Sequence, residues 1–204
     1  MAAKRVRRIA LTGGIATGKS YVRARLEKLG VLTIDSDTLA RQVVAAGTGG
    51  FAEVVSQFGP SIVAPSGELD RQKLAAIVFS DPQSRRVLEG IIHPLVRQAT
   101  DAWFASLDPA SHSFAVAEIP LLFEVDREKD FDEVIVVAVD AETQIARVME
   151  RNGISEAEAR QRLRSQLPID EKIRRANHVI RTNDSLADTD KQVKRVWESL
   201  KSAK

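Results

Sequence analysis

Apolar and polar positions divide the chain into short apolar runs and longer segments with helical periodicity. Apolar runs of four to eight residues are typical of strands buried on both faces of a sheet. Five runs fit this description, and we predict strands at 8–12, 31–35, 113–119, 133–140 and 178–181. Because helical patterns lie between them, the sequence predicts an α/β fold with a parallel five-stranded sheet and helices on both faces.

A segment of about seventy residues without a strand pattern separates the second run from the third. It is too long for an ordinary crossover, so we predict a helical insertion over 51–111. The flanking segments, 1–50 and 112–204, would then form the core of one domain. We expect seven large apolar side chains to build the core of the insertion: Phe51, Phe58, Leu74, Phe79, Leu88, Ile91 and Trp103.

Two signals predict helix boundaries inside this insertion. Ser80 is a candidate N-cap, with Gln83 as its partner in a capping box. Pro94 disfavours helical geometry at His93, so we expect one helix to end there.

A basic helical hairpin is predicted at 144–167, after the fourth run. Ser155 and Glu158 have the spacing of a capping box that begins a helix over 155–166. Arg147 and Arg151 lie one turn apart on the preceding helix, where they could simply form a solvated face. Beside a phosphate site, we expect them to neutralise charge from a mobile lid and to face solvent when it is open.

The first strand leads into the stretch "LTGGIATGKS", which has the G-x-x-x-x-G-K-[ST] spacing of a phosphate-binding P-loop. Backbone N–H groups of such a loop surround phosphate oxygens, and the following helix adds its positive N-terminus. Lys19 would reach the β- and γ-phosphates of a nucleotide, and the Ser20 hydroxyl would bind Mg²⁺. The residues expected to surround the nucleotide are Gly13, Gly14, Ile15, Ala16, Thr17, Gly18, Lys19, Ser20 and Tyr21.

Acidic residues follow the second and third strands, at the sheet edge where ligands bind in such folds. Asp35 and Glu118 are therefore candidate metal ligands together with Ser20. Asp35 could equally be a helix N-cap, but a cap does not require Asp37 as well. The residues alone leave open which aspartate serves as base and which serves the metal.

Composition limits the function classes. The 204 residues suffice for one substantial core, and no cysteine is present for a disulfide or a thiolate nucleophile. A net charge of +2 is too small to favour nucleic acid as a partner. Without an apolar stretch of membrane-spanning length or a signal peptide, we expect a cytoplasmic protein that does not bind membranes.

The order of several motifs resembles the dephospho-CoA kinase family over nearly the whole chain. The resemblance implies a P-loop NTPase-like nucleotide core, a helical acceptor-binding subdomain and a helical lid. It also implies ATP-dependent phosphorylation of the ribose 3′-hydroxyl of dephospho-CoA, the last step of coenzyme A synthesis, by a monomer or weak homo-oligomer. The matching pieces are "LTGGIATGKS", "TIDSDTLARQVVAAG", "GELDRQKLAAIVF", "LEGIIHPLV", "EIPLLFE", Gln144, Arg147, Arg151 and Gln166.

The resemblance also implies residue roles. Asp37 matches the family's catalytic base, and Lys19, Arg147 and Arg151 would stabilise the transferring phosphoryl group. Asp37, Arg71 and His93 are the candidate acceptor-binding residues. Arg71 could instead pair with Asp70, and His93 could be a buried, hydrogen-bonded histidine at a helix break.

The sequence departs from the family pattern at two single positions and in one segment. Ala16 replaces a glycine of the P-loop, which predicts an ordinary backbone angle there. Glu118 replaces an aspartate. The segment near the adenine in the family has Asn177, Thr182 and Asp184 at altered positions, so no base-contact role is assigned to it.

Other classes with a P-loop fit less well. A GTPase needs an N-K-x-D guanine reader, which the sequence lacks, and a nucleic-acid motor needs a second domain. A P-loop kinase acting on a nucleoside or nucleoside monophosphate remains the alternative, because one core serves many acceptors.

Overall fold

A computed structural model describes residues 5–202. Its five strands form one sheet in the order β2-β3-β1-β4-β5, and β1 pairs in parallel with β3 and β4, as β4 does with β5. All five predicted strands are confirmed. They are β1 (Arg7–Gly13), β2 (Thr33–Asp35), β3 (Phe114–Glu118), β4 (Glu133–Ala138) and β5 (His178–Arg181).

Helices follow the strands and fill the long segment between β2 and β3. No helix among residues 5–202 is both long and apolar enough to cross a membrane. The helices are α1 (Lys19–Lys28), α2 (Ser36–Gln42), α3 (Gly49–Phe58), α4 (Arg71–Ser80), α5 (Pro82–Ala105), α6 (Ala141–Asn152), α7 (Glu156–Arg164), α8 (Ile169–Arg174) and α9 (Leu186–Ser202).

The chain divides into two compact units. The first, called the sheet unit, runs to Ile34 and resumes at Leu107. Its core joins one face of the sheet to α1 and α9, because strand residues two apart, such as Ile9 and Leu11, lie on the same face. The side chains buried there include Ile9, Leu11, Val22, Leu26, Val116, Ile135, Val193 and Leu200.

The second unit, called the helical unit, spans Asp35–Ser106 and contains α2 to α5. The sequence predicted that the insertion starts at residue 51. The unit begins earlier, at Asp35, because α2 packs against α5. Phe79 is 86% exposed, so its predicted place in the core is wrong. The core of this unit contains Val54, Ile62, Leu74 and Ile91, with Phe51, Phe58 and Leu88 packed against it.

Two helix boundaries in the helical unit differ from the prediction. Ser80 ends α4, and the N-cap of α5 is Asp81, whose carboxylate accepts hydrogen bonds from the backbone N–H groups of Gln83 and Ser84. A hydrogen bond from the Ser84 hydroxyl and the two N–H groups lower the pKa of Asp81. Aspartate and serine are about equally favourable as N-caps. Because the two candidates are adjacent, the sequence does not show which of them caps the helix.

Pro94 lies inside α5, which continues through it, so the predicted helix break is wrong. An internal proline costs a backbone hydrogen bond and crowds the preceding turn. Burial of Ile91, Val96 and Phe104 along the same helix offsets that cost. In the sheet unit the Ser155–Glu158 capping box is confirmed at the start of α7.

Candidate phosphate-binding site

The loop between β1 and α1 is built by glycines at points of close approach. A Cβ on Gly13 would lie 2.3 Å from the Val137 carbonyl oxygen, and one on Gly14 would lie 2.4 Å from Gln144 Nε2. Gly18 has a left-handed φ of 90° where it precedes α1. The loop can therefore turn tightly against β4 because Gly13 carries no side chain, and Gly18 adopts a backbone angle that favours glycine.

Ala16 also lies in the left-handed region, with φ of 56°, so the expected ordinary backbone angle is wrong. The turn imposes this conformation whatever residue occupies the position. A residue with a Cβ pays roughly 1–2 kcal/mol there, which the surrounding contacts of the loop must offset.

Lys19 begins α1 and is half-buried. Its Nζ donates to the Gly14 carbonyl at 2.8 Å and lies 3.5 Å from the Gly13 carbonyl oxygen. Ser20, the next residue, is exposed. A phosphate group bound here would replace the loop carbonyls as the hydrogen-bond partner of the Lys19 ammonium.

A cavity of about 260 Å³ lies beside this loop. Every charged residue in its lining is a cation, which suits a phosphate ligand. The predicted P-loop and the two predicted lid arginines therefore meet at one site. The lining consists of Ala16, Thr17, Gly18, Lys19, Ser20, Arg147 and Arg151.

The two arginines have different surroundings. Arg147 is half-buried and donates to Thr182 Oγ1 at 3.0 Å and to the Thr182 carbonyl at 2.8 Å. Thr182 Oγ1 in turn donates to the Thr17 carbonyl at 2.9 Å. Arg151 is exposed and donates only locally, to Asn152 Oδ1. Arg147 therefore braces the loop through Thr182, whereas Arg151 is exposed to solvent.

Two glutamines hold the backbone of Ile15 from opposite sides. Gln144 Nε2 donates to the Ile15 carbonyl at 2.6 Å, and Gln166 Oε1 accepts from the Ile15 N–H at 2.9 Å. Both lie in the predicted lid segment 144–167. Their presence in the motif order was visible in the sequence, but nothing in their spacing indicated this contact. Tyr21, by contrast, directs its hydroxyl to Asp190 on α9, at 2.8 Å.

Glu118, at the end of β3, is 5% exposed and forms an ion pair with Arg23, with Nε 2.8 Å from Oε2. Within residues 5–202 no group of three or more His, Cys, Asp or Glu side chains could hold a metal ion. Mg²⁺ does not require such a group, because it keeps several waters and uses substrate phosphates as ligands. The oxygen donors Ser20 and Glu118 fit that chemistry, although Glu118 would share its charge with Arg23.

The remaining candidates lie in the helical unit. Asp35 is the N-cap of α2, with Oδ1 accepting from the Asp37 N–H at 2.8 Å, whereas the Asp37 side chain is exposed. Arg71 and His93 are also exposed, so the buried-histidine interpretation is wrong. Asp70 caps α4 and pairs with Lys73, at 3.4 Å.

Comparison with known proteins identifies a family to which this chain is similar. The dephospho-CoA kinase family profile matches residues 7–188. A dephospho-CoA kinase of Geobacillus kaustophilus is 44% identical over 195 residues, covering 94% of this chain and 97% of that protein. The solved structure of a Thermus thermophilus protein, TT1252, has a TM-score of 0.80 at 36% identity over 97% of this chain and 99% of its own. Dephospho-CoA kinase from Campylobacter jejuni has a TM-score of 0.74 at 28% identity, over 95% of this chain and 96% of its own.

Proposed function

The chain belongs to the dephospho-CoA kinase family, and we propose that it transfers the γ-phosphoryl group of ATP to the ribose 3′-hydroxyl of dephospho-CoA. The family match over 7–188 carries this conclusion. The cationic cavity at the P-loop supports it, because a triphosphate needs dense positive charge around it. The alternative acceptor, a nucleoside or nucleoside monophosphate, is not favoured by these relatives.

In this proposal the sheet unit binds the triphosphate of ATP. Lys19 exchanges its contact with the Gly14 carbonyl for oxygens of the β- and γ-phosphates, and the loop N–H groups bind the others. The Ser20 hydroxyl would hold Mg²⁺, with Asp35 and Glu118 as further candidates. When bound, that ion neutralises charge on the β- and γ-phosphates.

The lid arginines would act on the phosphoryl group as it moves. Arg151 is exposed and lines the cavity, whereas Arg147 holds Thr182 and the loop. Closure over the phosphates would exclude water and so limit hydrolysis of ATP.

The acceptor hydroxyl must lose its proton during transfer, and we propose Asp37 as the base that accepts this proton. Asp35 already accepts two hydrogen bonds as the cap of α2, whereas the Asp37 carboxylate is exposed on the first turn. Arg71 and His93 are our candidates for binding dephospho-CoA, and the helical unit would supply the acceptor groove. We expect a cytoplasmic monomer or weak homo-oligomer that binds neither membrane nor nucleic acid.

Coupled release of ADP tests the function. Dephospho-CoA, adenosine and AMP are compared as acceptors at equal concentration, with ATP alone as the blank. We expect rapid release only with dephospho-CoA, and coenzyme A as the second product by mass spectrometry. If ADP is released equally fast or faster with adenosine or AMP, dephospho-CoA is not the preferred acceptor and the proposal is wrong.

A further inference from the structure

Lys172, on α8, is a charged residue that the proposed reaction does not use. Its side chain is 0% exposed, and its Nζ lies 2.7 Å from Glu124 Oε1. The same Nζ lies 3.5 Å from the carbonyl oxygen of Gly13, the first glycine of the P-loop. A buried ammonium therefore reaches the loop from a segment more than a hundred residues away.

Glu124 connects this lysine to the chain that follows the lid. Its Oε1 also accepts from the Leu167 N–H at 3.0 Å. The neighbouring Gln166 accepts from the Ile15 N–H, so the same short segment holds a second point of the loop. We call Glu124, Gln166 and Lys172 the loop-support cluster.

The free energy of folding does not by itself explain why an ion pair occupies this position. Removing two charges from water is costly, and well-packed apolar residues of similar volume often replace a buried pair without loss. An apolar pair could fill the space between α8 and the loop, but it could not bind the Gly13 carbonyl.

The arrangement has a clear electrostatic consequence for phosphate binding. A P-loop binds anions because its N–H groups point inward, and a carbonyl oxygen turned inward would repel a phosphate. Nζ of Lys19 and Nζ of Lys172 each lie 3.5 Å from the Gly13 oxygen. When the Lys19 ammonium moves to the phosphates, it leaves the Gly13 carbonyl. Of the two lysines, only Lys172 then still contacts that oxygen.

We propose that Lys172 is a positioning residue of the nucleotide site, which holds the Gly13 carbonyl so that the P-loop keeps its phosphate-binding shape while Lys19 engages ATP. The inference rests on the proposed kinase function. It predicts that substitution of Lys172 changes the KM for ATP and the rate of phosphoryl transfer, and leaves the binding of dephospho-CoA unchanged.

The test uses the double variant Lys172→Met/Glu124→Gln, which removes both charges together and so leaves no unpaired carboxylate. We expect urea unfolding near that of the wild type. The KM for ATP should rise and kcat should fall, together lowering kcat/KM for ATP about tenfold to a hundredfold, as small misplacements of reacting groups do. The KM for dephospho-CoA should stay unchanged. The matched control is Lys194→Met/Glu198→Gln, an exposed Lys–Glu pair on α9, which should behave as the wild type.

A merely structural pair gives a different result. If the double variant is as stable as the wild type and has its KM for ATP and its kcat, the role of Lys172 is overturned. If the double variant does not fold, Lys172→Arg is measured in its place, because it keeps a cation beside Glu124 but replaces the compact ammonium by a planar group. A raised KM for ATP then supports the proposal, and wild-type constants overturn it. Wild-type protein that neither binds ATP nor phosphorylates dephospho-CoA would overturn the proposed function and this inference together.

Discussion

The sheet unit and the helical unit hold their candidate residues in different ways. In the sheet unit, Arg147, Gln144 and Lys172 all bind the loop or a residue that braces it. In the helical unit, Asp37, Arg71 and His93 are exposed on helices. Several residues proposed to support phosphate binding are thus held by hydrogen bonds, whereas those proposed to bind the acceptor are exposed. Substitution of Arg147, which is held by hydrogen bonds, should therefore affect stability and catalysis together, whereas substitution of the exposed candidates in either unit should affect kinetics alone.

Lys19→Ala should nearly abolish turnover. Loss of the ammonium removes several kcal/mol of transition-state stabilisation, so we expect kcat to fall about a hundredfold or more. Steady-state ADP release at saturating substrates measures it, with circular dichroism to confirm folding. The control is Lys28→Ala, at the exposed far end of the same helix, which should keep wild-type activity. A folded Lys19→Ala protein with more than half the normal turnover would refute the P-loop assignment.

Asp37→Asn tests the catalytic role in the helical unit. The substitution keeps the shape of the side chain and removes its charge, so kcat should fall about a hundredfold to ten-thousandfold, as loss of a general base does. The KM for dephospho-CoA and the melting temperature should change little, because the side chain is exposed.

Asp35→Asn is the comparison for that result. An asparagine caps a helix nearly as well as an aspartate, so α2 should stay intact. We expect a smaller loss of kcat than for Asp37→Asn. The reverse order, with Asp35→Asn inactive and Asp37→Asn near normal, would show that the base is Asp35.

Arg147→Ala and Arg151→Ala separate bracing from charge. Arg147 makes two hydrogen bonds to Thr182, so its loss should lower the free energy of unfolding by about 1–3 kcal/mol as well as kcat. Arg151 is exposed, and its loss should lower kcat with less than about 0.5 kcal/mol of change in stability. Urea unfolding and coupled ADP release are measured for both variants. Equal stability losses would contradict the difference that the structure shows between them.

The sequence predicted what local patterns encode. All five strands and the Ser155 capping box follow from apolar runs and cap spacing, and the P-loop follows from its motif. Local rules failed where packing decided the outcome. Pro94 stays helical inside a helix with a buried face, and Ala16 takes the angle that its turn imposes.

The supports of the loop could not be predicted in the same way. Thr182 and Lys172 reach the loop only through tertiary contacts across more than a hundred residues of chain. No periodicity or spacing connects such positions. Gln144 and Gln166 were visible as parts of a family pattern, but their hydrogen bonds to Ile15 required coordinates.

Arg71→Ala should have a smaller effect, confined to the acceptor. Its side chain is exposed at the start of α4, and Asp70 beside it already pairs with Lys73. We expect the KM for dephospho-CoA to rise about tenfold, the value of one charge-assisted hydrogen bond, without change in the KM for ATP. Lys73→Ala, on the same helix, is the control. Equal increases in both KM values would remove Arg71 from the acceptor site.

Ala16→Gly should have the smallest effect and tests whether the loop is fixed by its contacts or by its own backbone. Glycine relieves roughly 1–2 kcal/mol of left-handed strain and loses about 0.4–1 kcal/mol through the freer unfolded chain. The free energy of unfolding should therefore stay the same or rise by up to about 1.6 kcal/mol. We expect kcat to be unchanged because the glutamines still hold Ile15. Gly153→Ala is the converse control, since Gly153 ends α6 with φ of 62° and nothing lies within 4 Å of its missing Cβ. That substitution should destabilise by about 1 kcal/mol. If Ala16→Gly instead loses both stability and kcat, the side chain of Ala16 contributes to the rigidity of the loop, and support from distant residues is not sufficient.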